Sequence, residues 1–95
     1  MSEFQLGQRV RVTGQMMRRN RRGREKVWEE RPPDVAFGYI TGVRSYTDGR
    51  TEGGYDEPFY WEPRADTRFT GYLVAYNLHR KPIVCRADQI EADDE

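Results

Sequence analysis

Residues 35–46 read VAFGYITGVRSY. Aromatic and β-branched residues fill this stretch, as strands favour, and Phe37, Tyr39, Ile40, Val43 and Tyr46 are its candidates for a core or half-buried face. Gly38 and Gly42 interrupt it, and a glycine inside a strand marks a bulge or a sharp bend. The stretch therefore reads as a core strand that curls, as a strand must to close a small barrel. Upstream, Val10 and Val12 alternate with Arg9, Arg11 and Thr13 at a period of two over residues 8–13, the signature of a half-buried strand. Leu6-Gly7 precedes it as a turn into the sheet, with glycine free to take positive φ. Downstream, residues 68–76 (RFTGYLVAY) resume strand character, residues 77–80 (NLHR) form a tight turn, and residues 81–86 (KPIVCR) return antiparallel with Ile83 and Cys85 on one face. Pro82 places the start of that last strand at an edge or at an entry position. Residues 87–90 (ADQI) read as one helical turn with Ile90 plugging the barrel, and the acidic tail at 91–95 is expected to fray.

Ninety-five residues leave room for one domain with one core, assigned to 1–95. Hydrophobic residues are scarce at 36% while aromatics reach 13%, which predicts a small aromatic core surrounded by polar excursions. No apolar run has the roughly 18 residues that span a bilayer, and residues 1–5 resemble no signal segment, so the expectation is a cytoplasmic protein with no membrane partner. Cys85 is the single cysteine and His79 the single histidine. That inventory rules out an internal disulfide and a closed Cys/His zinc site within one chain, and no cofactor or metal is expected.

Two excursions separate the strands. The first, residues 14–35, starts at Gly14 and ends at Pro32-Pro33-Asp34. One reading makes residues 15–18 and 26–31 the arms of a protruding hairpin closed by residues 20–23 (NRRG), and the other makes residues 15–31 a short helix. Gly23 and the lack of an apolar stripe at helical spacing weigh towards the hairpin. The second excursion, residues 50–67, follows a turn signal at Thr47-Asp48-Gly49 and shows no sustained periodicity, so it reads as a long loop carrying Phe59-Tyr60-Trp61 between Pro58 and Pro63.

Strand, long loop, bent strand, loop, tight hairpin, single turn and short end strand is the element order of an SH3-like barrel. GQRVRVTG (7–14) followed by GYITGVR (38–44) resembles the strand-turn-strand of small KOW and SH3-like domains, and YLVAYNLHRKPIVCRADQIE (72–91) resembles their closing hairpin and turn. The expected fold is thus all-β, a small SH3-like β-barrel with two long loop or hairpin insertions. The chain is similar in particular to short proteins of tailed bacteriophages that infect actinobacteria, most of which have no assigned role. It departs from signalling SH3 domains, since no acidic, tyrosine-rich string for proline-rich peptides is present, and from KOW domains, which join their first two strands tightly.

Catalysis is disfavoured by inventory. A nucleophilic or acid-base site needs a base, an oriented nucleophile and a third group. One His in a turn, one Cys beside Ile83 on a strand, and two Ser leave few combinations. Pairs such as Asp56 and Glu57, or Glu62 and Asp66, read as solvated loop carboxylates, and Gly49, Gly53 and Gly54 lack the Lys-Ser or Lys-Thr of a phosphate loop.

Charge is the sharper signal. Sixteen basic and sixteen acidic residues cancel, but the signs are segregated. Arg18, Arg19, Arg21, Arg22, Arg24 and Lys26 face only Glu25 within residues 18–26, while Asp88, Glu91, Asp93, Asp94 and Glu95 close the chain. Arginines on a protruding element pair bidentately with carboxylates or phosphates, or with the acidic tail of the same or another molecule. Trp, Tyr and Arg are the residues that dominate binding energy at interfaces. The expected contact surface therefore joins Arg18, Arg19, Arg21, Arg22 and Arg24 to Trp28, Tyr55, Phe59, Tyr60 and Trp61 in a groove between the excursions. A protein partner of the bacterial host is favoured. The alternatives are nucleic acid, with the arginines on phosphates and Tyr60 or Trp61 stacked on bases, and self-association as a virion or scaffold component.

Overall fold

The computed structural model describes residues 4–21 and 23–93. Seven strands appear in order, β1 (Arg9–Val12), β2 (Gln15–Arg21), β3 (Glu25–Arg31), β4 (Phe37–Gly54), β5 (Glu57–Ala75), β6 (Ile83–Cys85) and β7 (Ile90–Ala92), with a 3₁₀ turn at Ala87–Gln89. They form one sheet ordered β3-β2-β6-β5-β4-β1-β7, and an additional β3–β4 pairing closes five of them into a ring. The fold is all-β, a small SH3-like barrel of five closed strands with two extra strands at its side.

The core sits at one end. Val10, Val12, Ile40, Tyr72, Val74, Ile83, Cys85 and Ile90 form it, with Phe4, Val35, Tyr76 and Ala87 packed around them. Fully burying one such aliphatic side chain is worth about 1.5–3 kcal/mol, so this cluster carries the fold. Alternation decides which residues of β4 join it. Gly38 and Ile40 point inward, and an added Cβ at Gly38 would stand 2.5 Å from Val74 Cγ1. Phe37 and Tyr39, expected as core candidates, consequently face out, and Val43 beyond the bulge is exposed too. The bulge expected from Gly42 is present as a register shift between Ile40 and Gly42 against β5.

The two buried glutamines are paired into a small network. Gln15 and Gln89 are each 2% exposed. The Gln15 side chain donates to Asp34 Oδ2 at 3.2 Å and accepts from the Asp34 backbone N–H at 2.8 Å. Gln89 Oε1 accepts from the Arg86 N–H at 2.9 Å. The Gln15 bonds pin the Pro32-Pro33-Asp34 connection onto β2, and Gln89 Nε2, donating to the Gln15 carbonyl at 3.5 Å, ties the 3₁₀ turn to the same strand.

The first excursion is the hairpin, with register from Gln15 opposite Arg31 to Arg21 opposite Glu25 and Gly23 at φ +72° in the connection. Two expectations are corrected. Thr47-Asp48-Gly49 is no turn, because it lies inside β4, where Asp48 accepts the Trp28 N–H at 2.8 Å and donates its own N–H to Thr67 Oγ1 at 2.9 Å. Residues 50–67 are no loop. They are the outer half of the β4–β5 hairpin, paired from Asp48 opposite Arg64 to Gly54 opposite Glu57. A strand rises about 3.3 Å per residue, so the eighteen residues of β4 account for a molecule 56 Å long and only 28 by 21 Å across.

The tail is corrected as well. Part of the stretch expected to fray is strand: β7 pairs with β1 from Val12 opposite Ile90 to Val10 opposite Ala92. Arg9 Nε then meets Asp93 Oδ2 at 3.0 Å. Asp94 and Glu95 lie outside the described residues.

Candidate functional site

The outer part of the molecule is an antiparallel sheet ordered β2-β3-β4-β5, in which Glu25 pairs with Arg50 and Lys26 with Gly49 across the two hairpins. This pairing brings the arginine hairpin and the aromatic segment together. Thr51 N–H donates to the Arg24 carbonyl at 3.0 Å, and Arg24 Nη1 donates to the Gly53 carbonyl at 2.9 Å. The Arg24 guanidinium carbon lies 5.4 Å from the centre of the Phe59 ring, within reach of a cation–π attraction.

Phe59, Tyr60 and Trp61 sit on β5 and not on a loop, so they alternate between faces. An added Cβ at Gly49 would stand 2.5 Å from the Trp61 ring, which shows that Trp61 lies flat over that glycine. Phe59, two residues away, shares its face with Trp61, and Tyr60 takes the other side opposite Glu52. All three are exposed, at 66%, 54% and 41% in chain order. Tyr55 is fully exposed at the tip.

Trp28 goes elsewhere. It was expected to meet Tyr55, Tyr60 and Trp61 in one groove, but its ring packs 4.8 Å from Tyr46 and 5.6 Å from Phe69. These three rings form an aromatic joint between the barrel and the outer sheet, with Arg18 over Trp28 at 6.0 Å. Tyr46 is half-buried here, as expected of a core or half-buried candidate, whereas Phe69 is expected only as a strand residue. The two rings are a cross-strand pair on the barrel side of the bulge that Thr67 stitches, where its hydroxyl donates to the Arg64 carbonyl at 2.7 Å.

The arginines differ in their freedom. Arg19 pairs with Glu29 at 3.2 Å across the hairpin, and Arg19, Asn20, Arg21, Val27 and Glu29 line a shallow groove on that side. Arg22 lies outside the described residues. Among the described residues the acidic end does not answer these arginines: Asp88 pairs with Arg86 at 3.3 Å, Glu91 with Arg11 at 3.8 Å, and Asp93 with Arg9. The Asp93 hydrogen bond raises the pKa of the Arg9 guanidinium, holding it still more firmly in the charged form.

The single cysteine and the single histidine are placed apart. Cys85 is fully buried in the core, and burial pushes its thiol up to about 12. His79 is exposed in the β5–β6 turn, where its N–H donates to Asn77 Oδ1 at 2.8 Å. Among the described residues, no group of three or more His, Cys, Asp or Glu side chains is placed to hold a metal ion, and no helix is long and apolar enough to cross a membrane. No known protein family, curated protein or solved structure matches this chain.

Proposed function

We propose that this chain acts by binding a macromolecular partner, a protein first, through the outer sheet, without catalysing a reaction. The observation that carries the reading is the β3–β4 pairing, which sets Arg24 over Phe59 and so merges the basic hairpin and the exposed aromatics into one surface. Exposed aromatics beside arginines are the composition of interface hot spots. A protein is favoured over nucleic acid by the carboxylates mixed into the same surface. Glu29 neutralises Arg19, Glu52 lies 2.7 Å from Arg50, and Glu25 lies 3.6 Å from Arg64. A phosphate backbone would meet these carboxylates as repulsion, whereas a protein surface offers both signs. The resemblance to short phage proteins makes the proteins of a bacterial host the place to search.

The test is an affinity capture from actinobacterial lysate, with and without nuclease, comparing the native chain with a variant carrying Arg18, Arg19, Arg21 and Arg24 to Ala. The expected result is a protein retained after nuclease and lost in the variant. A partner lost on nuclease treatment alone, together with single-stranded DNA binding that weakens steeply between roughly 50 and 200 mM salt, would replace this reading with the nucleic-acid one.

A further inference from the structure

The two ends of the long hairpin carry complementary features that the outer-sheet reading does not use. At the tip, Tyr55 occupies the first position of a two-residue turn at φ +54°, behind Gly53 and Gly54 at +94° and +104°. A bulky residue at positive φ is a genuine outlier. Asn or Gly takes this position in a hairpin turn at lower conformational cost. The ring gains nothing from the fold in return, because it is fully exposed. Its neighbours Asp56 and Glu57 are exposed and make no ion pair among the described residues.

At the opposite end, where β4 and β5 enter the barrel, Phe37, Tyr39, Ala75, Tyr76 and Leu78 line a mainly apolar groove of about 250 Å³. Phe37 and Tyr39 are nearly half exposed, and Leu78 is wholly so. Arg80 and Lys81 lie beside Leu78 in the β5–β6 connection, exposed and likewise without an ion pair among the described residues. An acidic tip bearing an aromatic ring thus matches an apolar groove whose lining residue Leu78 is followed in the chain by the basic Arg80 and Lys81, on the same chain and at opposite ends of its long axis.

We propose that the occupant of this groove is the Tyr55 tip of a second copy of the chain. The ring enters between Phe37, Tyr39 and Leu78, and Asp56 and Glu57 meet Arg80 and Lys81. Because the two contacting surfaces differ and lie at opposite ends, the contact is heterologous, and repeated addition builds an open, linear head-to-tail array. The contact is small, so each junction is weak and salt-sensitive.

Sedimentation equilibrium over a wide concentration range tests this with the full chain. The native protein is expected to gain average mass with concentration, less so as salt rises. Tyr55→Ala and Leu78→Asp each alter a fully exposed side chain, so folding should survive, as circular dichroism would verify. Each should weaken association by at least about tenfold, the equivalent of about 1.4 kcal/mol. The two variants retain opposite intact ends, so their equimolar mixture should form a complex of two chains and stop there. A native protein of constant mass, association undiminished by Tyr55→Ala, or a mixture that stays monomeric would each overturn the proposal. A variant lacking Arg18, Arg19 and Arg21, with the Arg24 contacts to Gly53 and Phe59 intact, should associate like the native chain, so partner binding and self-association fail independently.

Discussion

At the barrel end of the β4–β5 hairpin, Ile40 pairs with Val74 and both are sealed in the core. At the outer end, Thr51 pairs with Trp61 and Glu52 with Tyr60, and the aromatic rings remain exposed. One hairpin therefore runs through two physical regimes. The inner half is held by burial, while the outer half is held by backbone pairing, a bulge stitched by Thr67, the Trp28-Tyr46-Phe69 joint and a few exposed ion pairs. Exposed pairs contribute little each, so the outer sheet should open locally at a lower free energy than the barrel. That division suits a protein that keeps its scaffold at one end and its contact surface at the other.

The widest separation between the halves should come from truncation. Ile40→Ala leaves a cavity in the fully buried core and should cost about 2–5 kcal/mol, a large share of the roughly 5–14 kcal/mol available to a domain of this size. Phe59→Ala should cost less than about 1 kcal/mol. Urea unfolding of the two variants measures the contrast, and equal losses would erase the division.

Cys85 reports on the same boundary by pH. Its thiol, neutral in the fold up to about 12, ionises near its ordinary value of about 8.5 once unfolded. Between these values the unfolded chain has released the proton and the folded one has not, so stability falls as pH rises through that window and is unaffected by this group at lower pH. Cys85→Ala should flatten this alkaline slope. At neutral pH, labelling of the thiol should proceed only through opening of the barrel, so Ile40→Ala should accelerate it and Phe59→Ala should not.

Gly49→Ala acts on the outer half alone. Its Cβ would stand 2.5 Å from both the Glu62 carbonyl and the Trp61 ring, and relief requires β4 and β5 to part. The expected cost is about 1–3 kcal/mol. Hydrogen exchange should show lost protection at residues 48–63 with little change around Val10 and Val74.

The two regimes also explain how far the sequence was legible. Where one face is buried, alternation is written into the residues, and Val10, Val12, Ile83, Cys85 and Ile90 fall where the pattern puts them. The hairpin at 15–31 was readable from Gly23 and the prolines for the same local reasons. The outer half of β4–β5 was not. A strand exposed on both sides has no apolar period to display, and Gly49, Gly53 and Gly54 resemble loop residues although Gly49 serves to receive the Trp61 ring. Phe37 and Tyr39 misled for the converse reason. Aromatic residues suit strands on either face, and Gly38, which carries no side chain, marks the inward position between them.

The finest distinction concerns the link between the hairpins. Arg24 touches the second hairpin twice through its side chain, by a hydrogen bond to Gly53 and by the Phe59 ring. Arg24→Ala removes both contacts, while the backbone bond from Thr51 N–H to its carbonyl survives. At an exposed site a cation–π contact is worth about 0.5–1 kcal/mol, so global stability should shift by about 1 kcal/mol or less. Arg24→Lys retains the charge but not the planar guanidinium, and it should restore only part of the loss. If both substitutions leave hydrogen exchange at residues 51–54 unchanged, the Glu25–Arg50 and Lys26–Gly49 pairs alone hold the hairpins together. Arg24 is then free to serve a partner, with Phe59 as the surface that keeps its guanidinium oriented.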